Sequence, residues 1–220
     1  MKFKSLFEKY DAIVFLDVET TGLNFEKDQI IQFAARKYFK KGGASEDYNV
    51  FVKLNDPEAC LTDEIKTLTG ITDMKLQEEG VSETSLAALL KKVLPHGFFR
   101  KEKILICAYN AQFDLAFLRS TMRRHPEYRM DLENYDFLDV LTVYRDRAYY
   151  PHKLCNAIEH YGVDAENSHQ AQDDVLGMIL VAESMEQEKD NLLSYVNKFS
   201  YKGKYGISGE PFRKVNYIPC

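Results

Sequence analysis

The feature that most constrains this chain is a run of apolar residues that ends in two closely spaced acids. Residues 12–16 are Ala-Ile-Val-Phe-Leu, and Asp17 and Glu19 follow them. An uninterrupted apolar run of this kind predicts a strand buried on both faces of a sheet. Because side chains two apart on a strand point the same way, the two carboxylates should lie side by side. Such a pair suits a divalent cation, but a capping acid beside a solvated acid would have the same sequence.

The composition indicates a globular chain with no general affinity for polyanions. Hydrophobic residues make up 45% of the 220 residues, which is enough for a core, and the net charge is −5. The four cysteines form no CxxC pair, which favours reduced thiols over disulfides or zinc. No stretch resembles a signal peptide or approaches the ~20 apolar residues of a membrane span. We therefore expect a cytoplasmic protein with no membrane partner.

The hydrophobic pattern predicts an α/β fold. The predicted strands are residues 12–19, 29–39, 48–54, 104–108 and 137–140. The predicted helices are residues 62–68, a segment that begins after Ser82, and residues 110–124, 152–161 and 171–188. This order predicts a mixed five-stranded sheet, with three antiparallel strands followed by parallel strands, flanked by helices. We expect residues 1–190 to form one domain and residues 191–220 a C-terminal extension, either ordered or flexible.

A second acid lies near the start of a predicted helix. Asn110 follows the predicted strand 104–108 and is a good N-cap residue. Asp114 then falls in the first turns, on the same side of the helix as Phe117. A buried carboxylate needs a partner, whereas an acid near a helix N-terminus can simply stabilise the helix dipole. Taken alone, the position of Asp114 favours an acid that stabilises the helix dipole.

A third cluster opens the last predicted helix. Asp174 borders the apolar stripe of this helix, whereas Asp173 points further towards solvent. His169 precedes the helix, where a lone histidine is most often a capping or surface residue. Three acidic clusters, each at a strand end or a helix start, favour a shared site over three separate explanations.

Together the three clusters resemble the motifs of DEDD-superfamily 3′-5′ exonucleases of the histidine subtype. The proofreading epsilon subunit of bacterial DNA polymerase III is an example of this subtype. Residues 17–23 match the first motif, 110–114 the second and 169–174 the third, and the resemblance covers roughly residues 12–188. No Tyr stands four residues before Asp174, which disfavours the tyrosine subtype. The family fold is ribonuclease H-like, in agreement with the predicted mixed sheet.

The resemblance implies metal-dependent chemistry at the three clusters. It assigns two divalent cations, Mg2+ or Mn2+, to four metal-binding acids and makes His169 the general base. The four acids are Asp17, Glu19, Asp114 and Asp174. The implied reaction is 3′→5′ hydrolysis of terminal phosphodiesters of DNA, in proofreading or repair, with release of nucleoside 5′-monophosphates.

The resemblance also implies where substrate binds. It assigns contacts with the 3′-terminal nucleotide to Thr20, Leu23, Leu68, Thr69 and Asn110. For Leu23 and Leu68, ordinary core packing is the alternative. The implied partner is a nucleic acid with a free 3′ end, with single-stranded DNA favoured, and a DNA polymerase is a further candidate partner. An RNA-trimming exoribonuclease and a catalytically silent module that binds nucleic-acid ends remain alternatives.

Two basic clusters are candidate paths for the substrate strand. The first is Arg119, Arg123, Arg124 and His125, and the second is Arg145, Arg147 and Lys153 with Tyr144, Tyr149 and Tyr150. Interleaved basic and aromatic residues suit single-stranded nucleic acid, but solvated helix faces would have the same pattern. The second cluster is preferred because it precedes the third motif. Tyr109 stands where relatives often have His, which leaves the contact made at that position open.

Overall fold

A mixed five-stranded sheet forms the centre of the computed structural model, which describes residues 2–41, 43–95, 102–128, 130–165 and 170–220. The strand order is β3-β2-β1-β4-β5. The strands are β1 (Ala12–Thr20), β2 (Ile30–Phe39), β3 (Ser45–Phe51), β4 (Ile104–Ala108) and β5 (Asp136–Asp139). The first three pair antiparallel, whereas β4 and β5 run parallel to β1. The predicted ribonuclease H-like sheet is therefore confirmed.

Helices cover both faces of this sheet. They are α1 (Lys4–Lys9), α2 (Asp63–Thr69), α3 (Asp73–Glu79), α4 (Glu83–Val93), α5 (Ala111–Arg124), α6 (Val140–Arg147), α7 (Leu154–Tyr161) and α8 (Ala171–Glu188). Helices α4 and α5 pack on one face, and α1, α6, α7 and α8 pack on the other. No helix within the described ranges is both long and apolar enough to cross a membrane.

Strand β1 is buried on both faces, as its sequence predicts. Val14 and Leu16 point into the core beneath α4 and α5, whereas Ile13 and Phe15 point into the core beneath α8. All four side chains are fully buried. The alternation therefore directs the next odd-numbered residues, including Asp17, towards the face that α8 covers.

Several element boundaries differ from the sequence prediction. Strand β3 begins at Ser45 rather than at residue 48 and ends at Phe51, after which Val52 forms a single bridge with Val81. Helices α1, α3 and α6 were not predicted. The first two are one to two turns long, and the hydrophobic period is hard to detect over so few residues. Helix α6 directly follows a predicted strand, and Val140 belongs to the helix rather than to the strand.

The C-terminal residues pack against the main core. Strands β6 (Lys198–Tyr201) and β7 (Asn216–Pro219) form a small parallel sheet of their own. Phe199 and Phe212 are fully buried, and their ring centroids lie 6.1 and 5.0 Å from that of Phe137 on β5. These contacts order the C-terminal segment along the β5 side of the molecule.

Candidate active site

Strand β1 carries the first two acids to one end of the sheet. Asp17 lies opposite Ala34 and Glu19 lies opposite Gln32 on β2, and the register shifts immediately after Glu19. Both side chains are partly buried. The strand period of two places them on the same face, beneath α8. The predicted side-by-side placement is confirmed by this register.

A hydrogen-bond network fixes the start of α8 beside these acids. The backbone N–H of Ala171 donates to the buried Oε1 of Gln32, at 3.2 Å. Gln32 Nε2 donates to Asn49 Oδ1 at 3.0 Å, and Asn49 Nδ2 donates to Gln172 Oε1 at 2.7 Å. Strands β2 and β3 are thereby tied to the first turn of α8, which also carries Asp174. Because Gln32 lies opposite Glu19, the network and the acids occupy one region of the sheet.

Three carboxylates converge where β1 ends and α8 begins. One oxygen each from Asp17, Glu19 and Asp174 lie within 4.8 Å of one another. Burial, together with the charge of Asp174, raises the pKa of Glu19 to about 8. Burial and the neighbouring carboxylates, that of Asp114 first among them, raise the pKa of Asp17 well above its usual range. The negative charges of this cluster therefore oppose one another.

Asp114 adds a fourth carboxylate from α5. Its side chain is 2% exposed, and its Oδ1 accepts the backbone N–H of Val18 at 3.1 Å. Burial raises the pKa of this acid well above its usual range, although hydrogen bonds from backbone N–H groups oppose the rise. A buried acid requires a hydrogen-bond partner, and for Asp114 that partner is the backbone N–H of Val18, which lies between Asp17 and Glu19 on β1.

The donor set fits a hard divalent cation. All four side chains offer carboxylate oxygens, the ligand type that magnesium and manganese prefer. The raised pKa values of Asp17, Glu19 and Asp114 follow from burial and from repulsion within the cluster, and a bound cation would relieve that repulsion. The arrangement can thus hold a cation close to a polyanionic substrate that the acids alone would repel.

Asp139 anchors the start of the helix that carries Asp114, a role that was not predicted from the sequence. Asn110 holds the N-cap position of α5 as predicted, but it adopts a left-handed conformation (φ 64°) and its side chain makes no capping hydrogen bond. The buried Asp139 Oδ1 accepts instead the N–H groups of Asn110 (2.9 Å) and Ala111 (3.2 Å). It also accepts the N–H of Leu141 at 3.2 Å, so that one carboxylate caps both α5 and α6. Its one signal in the sequence is an acid at the end of a predicted strand.

The predicted substrate contacts divide into exposed and buried residues. Leu23 is 86% exposed and Leu68 is 48% exposed, so core packing does not explain either one. Thr20 is buried near the acids, and its hydroxyl donates to the carbonyl of Gly22 at 2.6 Å. Thr69 is buried as well, and its hydroxyl donates to the carbonyl of Ile65 at 2.8 Å. The two leucines are therefore the members of the set that can offer an apolar surface to a ligand.

The third motif is described only in part. His169 lies outside the described residues, whereas Asp174 lies within them. At the second motif, Tyr109 donates its hydroxyl to the carbonyl of His152 at 2.9 Å. This bond links the start of α5 to the loop between α6 and α7. Tyr109 therefore has a structural contact in the position where relatives often have His.

Most of the predicted basic residues make contacts within the protein. Arg119 lies over the Phe212 ring and pairs with Glu133, and Arg124 pairs with Glu83. Arg147 is nearly buried, and its guanidinium donates to the backbone carbonyls of Met185 and Lys189 at the end of α8. These side chains join elements of the fold.

Comparison with known proteins identifies the family. A family model described as an exonuclease, of the RNase T type, matches residues 14–182. The chain belongs to the exonuclease family. Its three motifs place it in the DEDD superfamily, histidine subtype, as the sequence analysis predicted.

The relatives of this exonuclease domain include much longer chains. This chain is 33% identical over 162 residues to the DNA polymerase III PolC-type of Streptococcus pyogenes serotype M2 (strain MGAS10270). The match covers 73% of this chain and 10% of that relative, so the chain spans about a tenth of the polymerase's length.

Two solved structures share the fold. E. coli Exonuclease I in complex with a dT13 oligonucleotide aligns with a TM-score of 0.70 and 22% identity, over 84% of this chain and 43% of that chain. Exonuclease I from Methylocaldum szegediense aligns with a TM-score of 0.68 and 19% identity, over 84% of this chain and 42% of that chain. This chain spans less than half of each.

Proposed function

We propose that this domain is a metal-dependent 3′→5′ exonuclease that hydrolyses the terminal phosphodiester of DNA and releases nucleoside 5′-monophosphates. The convergence of Asp17, Glu19 and Asp174 at the end of β1 is the observation that carries the proposal. Membership of the exonuclease family supports the reaction class. The buried Asp114 beside them supports a site with four carboxylates.

The four carboxylates would hold two divalent cations, Mg2+ or Mn2+. When bound, these cations would supply Lewis acidity and activate water for attack on phosphorus. His169 would accept a proton from the attacking water, since an imidazole titrates near neutral pH. In the sequence, His169 stands five residues before Asp174 and two residues before Ala171, where α8 begins.

Substrate binding would use the surface around the acids. The exposed Leu23 and Leu68 would contact the 3′-terminal base, with Leu23 wedged against it. Thr20 and Thr69 would shape the pocket through their local backbone, because their hydroxyls already bond to neighbouring carbonyls. Asn110 would order the start of α5 next to Asp114.

Loss of one metal-binding acid tests the proposal. In Mg2+ or Mn2+, Asp174→Ala should abolish release of the 3′ nucleotide from a 5′-labelled single-stranded DNA. The neighbouring Asp173→Ala is the matched control, because it removes the same charge from the same helical turn outside the three-acid cluster. Full activity of Asp174→Ala would refute the assignment. The same test on Asp17→Ala extends it to β1, and binding without turnover by the wild-type protein would instead support a catalytically silent module.

DNA is the favoured substrate because the similar proteins are themselves named for acting on or binding DNA. The similar PolC-type protein is a DNA polymerase, and the E. coli neighbour is a complex with a DNA oligonucleotide. An RNA-trimming enzyme would use the same four acids, so the acids do not separate a DNA substrate from an RNA substrate. The two substrates differ in the 2′-hydroxyl of RNA. Rates on DNA and RNA of matched sequence decide between them, and faster hydrolysis of RNA would overturn the assignment to DNA.

A role in proofreading is the second candidate, and the PolC-type similarity favours it. In that case the domain would act beside a DNA polymerase rather than alone. Co-purification with a polymerase, compared with and without residues 198–220, tests this role. Nuclease activity without any polymerase contact would favour repair.

A further inference from the structure

Three tyrosines are strongly exposed in two separate segments. Tyr149 is 97% exposed and Tyr150 is 76% exposed in the loop between α6 and α7, and Tyr205 is 74% exposed in the C-terminal segment. Exposed aromatic rings in one region of a surface commonly mark a binding site. The two segments are neighbours, because Lys202 Nζ lies 5.3 Å from the centroid of the Tyr150 ring. Lys204 Nζ lies 5.3 Å from the Tyr205 ring.

Both segments are fixed to the body of the domain. Arg145 Nη1 donates to the Ser200 carbonyl at 2.9 Å, which holds β6 against α6. The backbone N–H of Tyr205 donates to the Lys202 carbonyl at 3.0 Å in a tight turn. The loop with Tyr149 and Tyr150 is held through His152, whose carbonyl accepts the Tyr109 hydroxyl. Tyr109 immediately precedes Asn110 and α5, so the exposed rings are connected to the element that carries Asp114.

The two lysines lie over tyrosine rings and give this region a positive charge that no ion pair among the described residues neutralises. The ion pairs found among the described residues engage arginines of the predicted clusters, but they do not include Lys202 or Lys204. The chain as a whole carries a net charge of −5. A polyanion must therefore bind through local positive groups. Aromatic rings interleaved with lysines are the arrangement that binds single-stranded nucleic acid, by base stacking and phosphate contact.

On the basis of the proposed exonuclease function, we propose that Tyr149, Tyr150 and Tyr205, with Lys202 and Lys204, form a platform that binds single-stranded DNA on the 5′ side of the reacting end. Bases stack on the tyrosine rings, and the lysines contact phosphates. The platform combines part of the second basic cluster with C-terminal residues that the cluster did not include. Tyr144 and Arg147, which belonged to that cluster, are buried and do not take part.

Binding of a labelled single strand in EDTA tests the platform separately from catalysis. The probe is a 5′-fluorescein oligodeoxythymidine of about twelve nucleotides, a length within the range of single-strand sites. The double variant Tyr149→Ala/Tyr150→Ala should bind roughly 30-fold more weakly or worse, since it removes two stacking rings and stacking contributes at least about one kcal/mol per base. The double variant Lys202→Ala/Lys204→Ala should reduce the slope of log K against log salt by about 1.4, because each phosphate contact contributes about 0.7.

The hairpin between β2 and β3 provides the matched control. Lys40→Ala/Lys41→Ala also removes two exposed positive charges, but at the opposite end of the sheet, where Phe39 pairs with Ala12. This control should leave both the affinity and the salt slope unchanged. Binding by the tyrosine variant equal to that of the wild type would overturn the platform. A loss of affinity in the Lys40→Ala/Lys41→Ala variant equal to that in the Lys202→Ala/Lys204→Ala variant would also overturn the platform.

Turnover of substrates of two lengths provides the second readout. With Mg2+, the tyrosine variant should raise the KM for the twelve-nucleotide strand and leave hydrolysis of a dinucleotide unchanged. Equal losses on both substrates would contradict the platform, because a dinucleotide is too short to span it. A wild-type protein that binds the strand through the platform but hydrolyses neither substrate would overturn the exonuclease function and support the platform.

Discussion

Replacing Glu19 by Gln should stabilise the metal-free protein at neutral pH. The substitution keeps the shape of the side chain and removes its negative charge. Burial and the charge of Asp174 raise the pKa of Glu19 from its ordinary value of 4.5 to about 8. The folded protein therefore keeps a proton on this side chain at pH values where the unfolded chain has released it.

The sign and size of the effect follow from linkage. Because the folded state binds the proton more tightly, the free energy of unfolding falls as pH rises from 4.5 to about 8. Each pH unit in this window costs about 1.4 kcal/mol, so the wild type loses about 3 kcal/mol between pH 4.5 and pH 7. Gln has no proton to lose. The difference in stability between Glu19→Gln and wild type should therefore grow by about 3 kcal/mol over the same interval.

Urea unfolding in EDTA at the two pH values measures this difference. Glu78→Gln is a suitable control, because Glu78 is exposed on α3 and lies outside the acidic cluster. Manganese at about a thousand times its Kd should reverse the order of stability at pH 7. A metal bound to the folded state at that concentration adds about 4.1 kcal/mol, which exceeds the difference of about 3 kcal/mol, and Gln is a poor ligand. A Glu19→Gln variant whose stability follows that of wild type at both pH values would refute the electrostatic reasoning.

Two further predictions concern residues that organise the site. Asp139→Ala should lower the free energy of unfolding by at least about 3 kcal/mol, because the backbone N–H groups of Asn110, Ala111 and Leu141 lose their acceptor. Urea titration measures this loss, and a loss below about 1 kcal/mol would contradict the capping role of Asp139. Arg147→Ala should lower the free energy of unfolding by roughly 2–4 kcal/mol and leave the affinity for single-stranded DNA unchanged, because its guanidinium bonds within the protein. Weaker binding of the 5′-fluorescein strand by this variant would return Arg147 to the strand path.

The parts of the site that depend on local sequence were predictable. The apolar run before Asp17 predicted β1, and the strand period predicted that Asp17 and Glu19 share a face. The start of α8 was predicted at Ala171, which places Asp174 in the first turn. Local periodicity determines each of these features.

The parts that depend on contacts between distant segments were not predictable. Asp139 caps α5 from a different strand, and Gln32 holds the start of α8 across 139 residues of sequence. Neither residue belongs to a motif of its own. Arg147 belongs to a basic cluster in the sequence, yet it is buried against the end of α8. Composition and period carry no information about which long-range partner a polar side chain will find.

The most direct test of the proposed two-metal site is anomalous diffraction from a crystal soaked in manganese. We predict two anomalous peaks within coordinating distance of the carboxylates that would hold the ions, those of Asp17, Glu19, Asp114 and Asp174. Asp17→Asn should weaken or remove this anomalous signal. Manganese bound elsewhere, with no peak among these acids, would contradict the proposal that this acidic cluster is the hydrolytic centre.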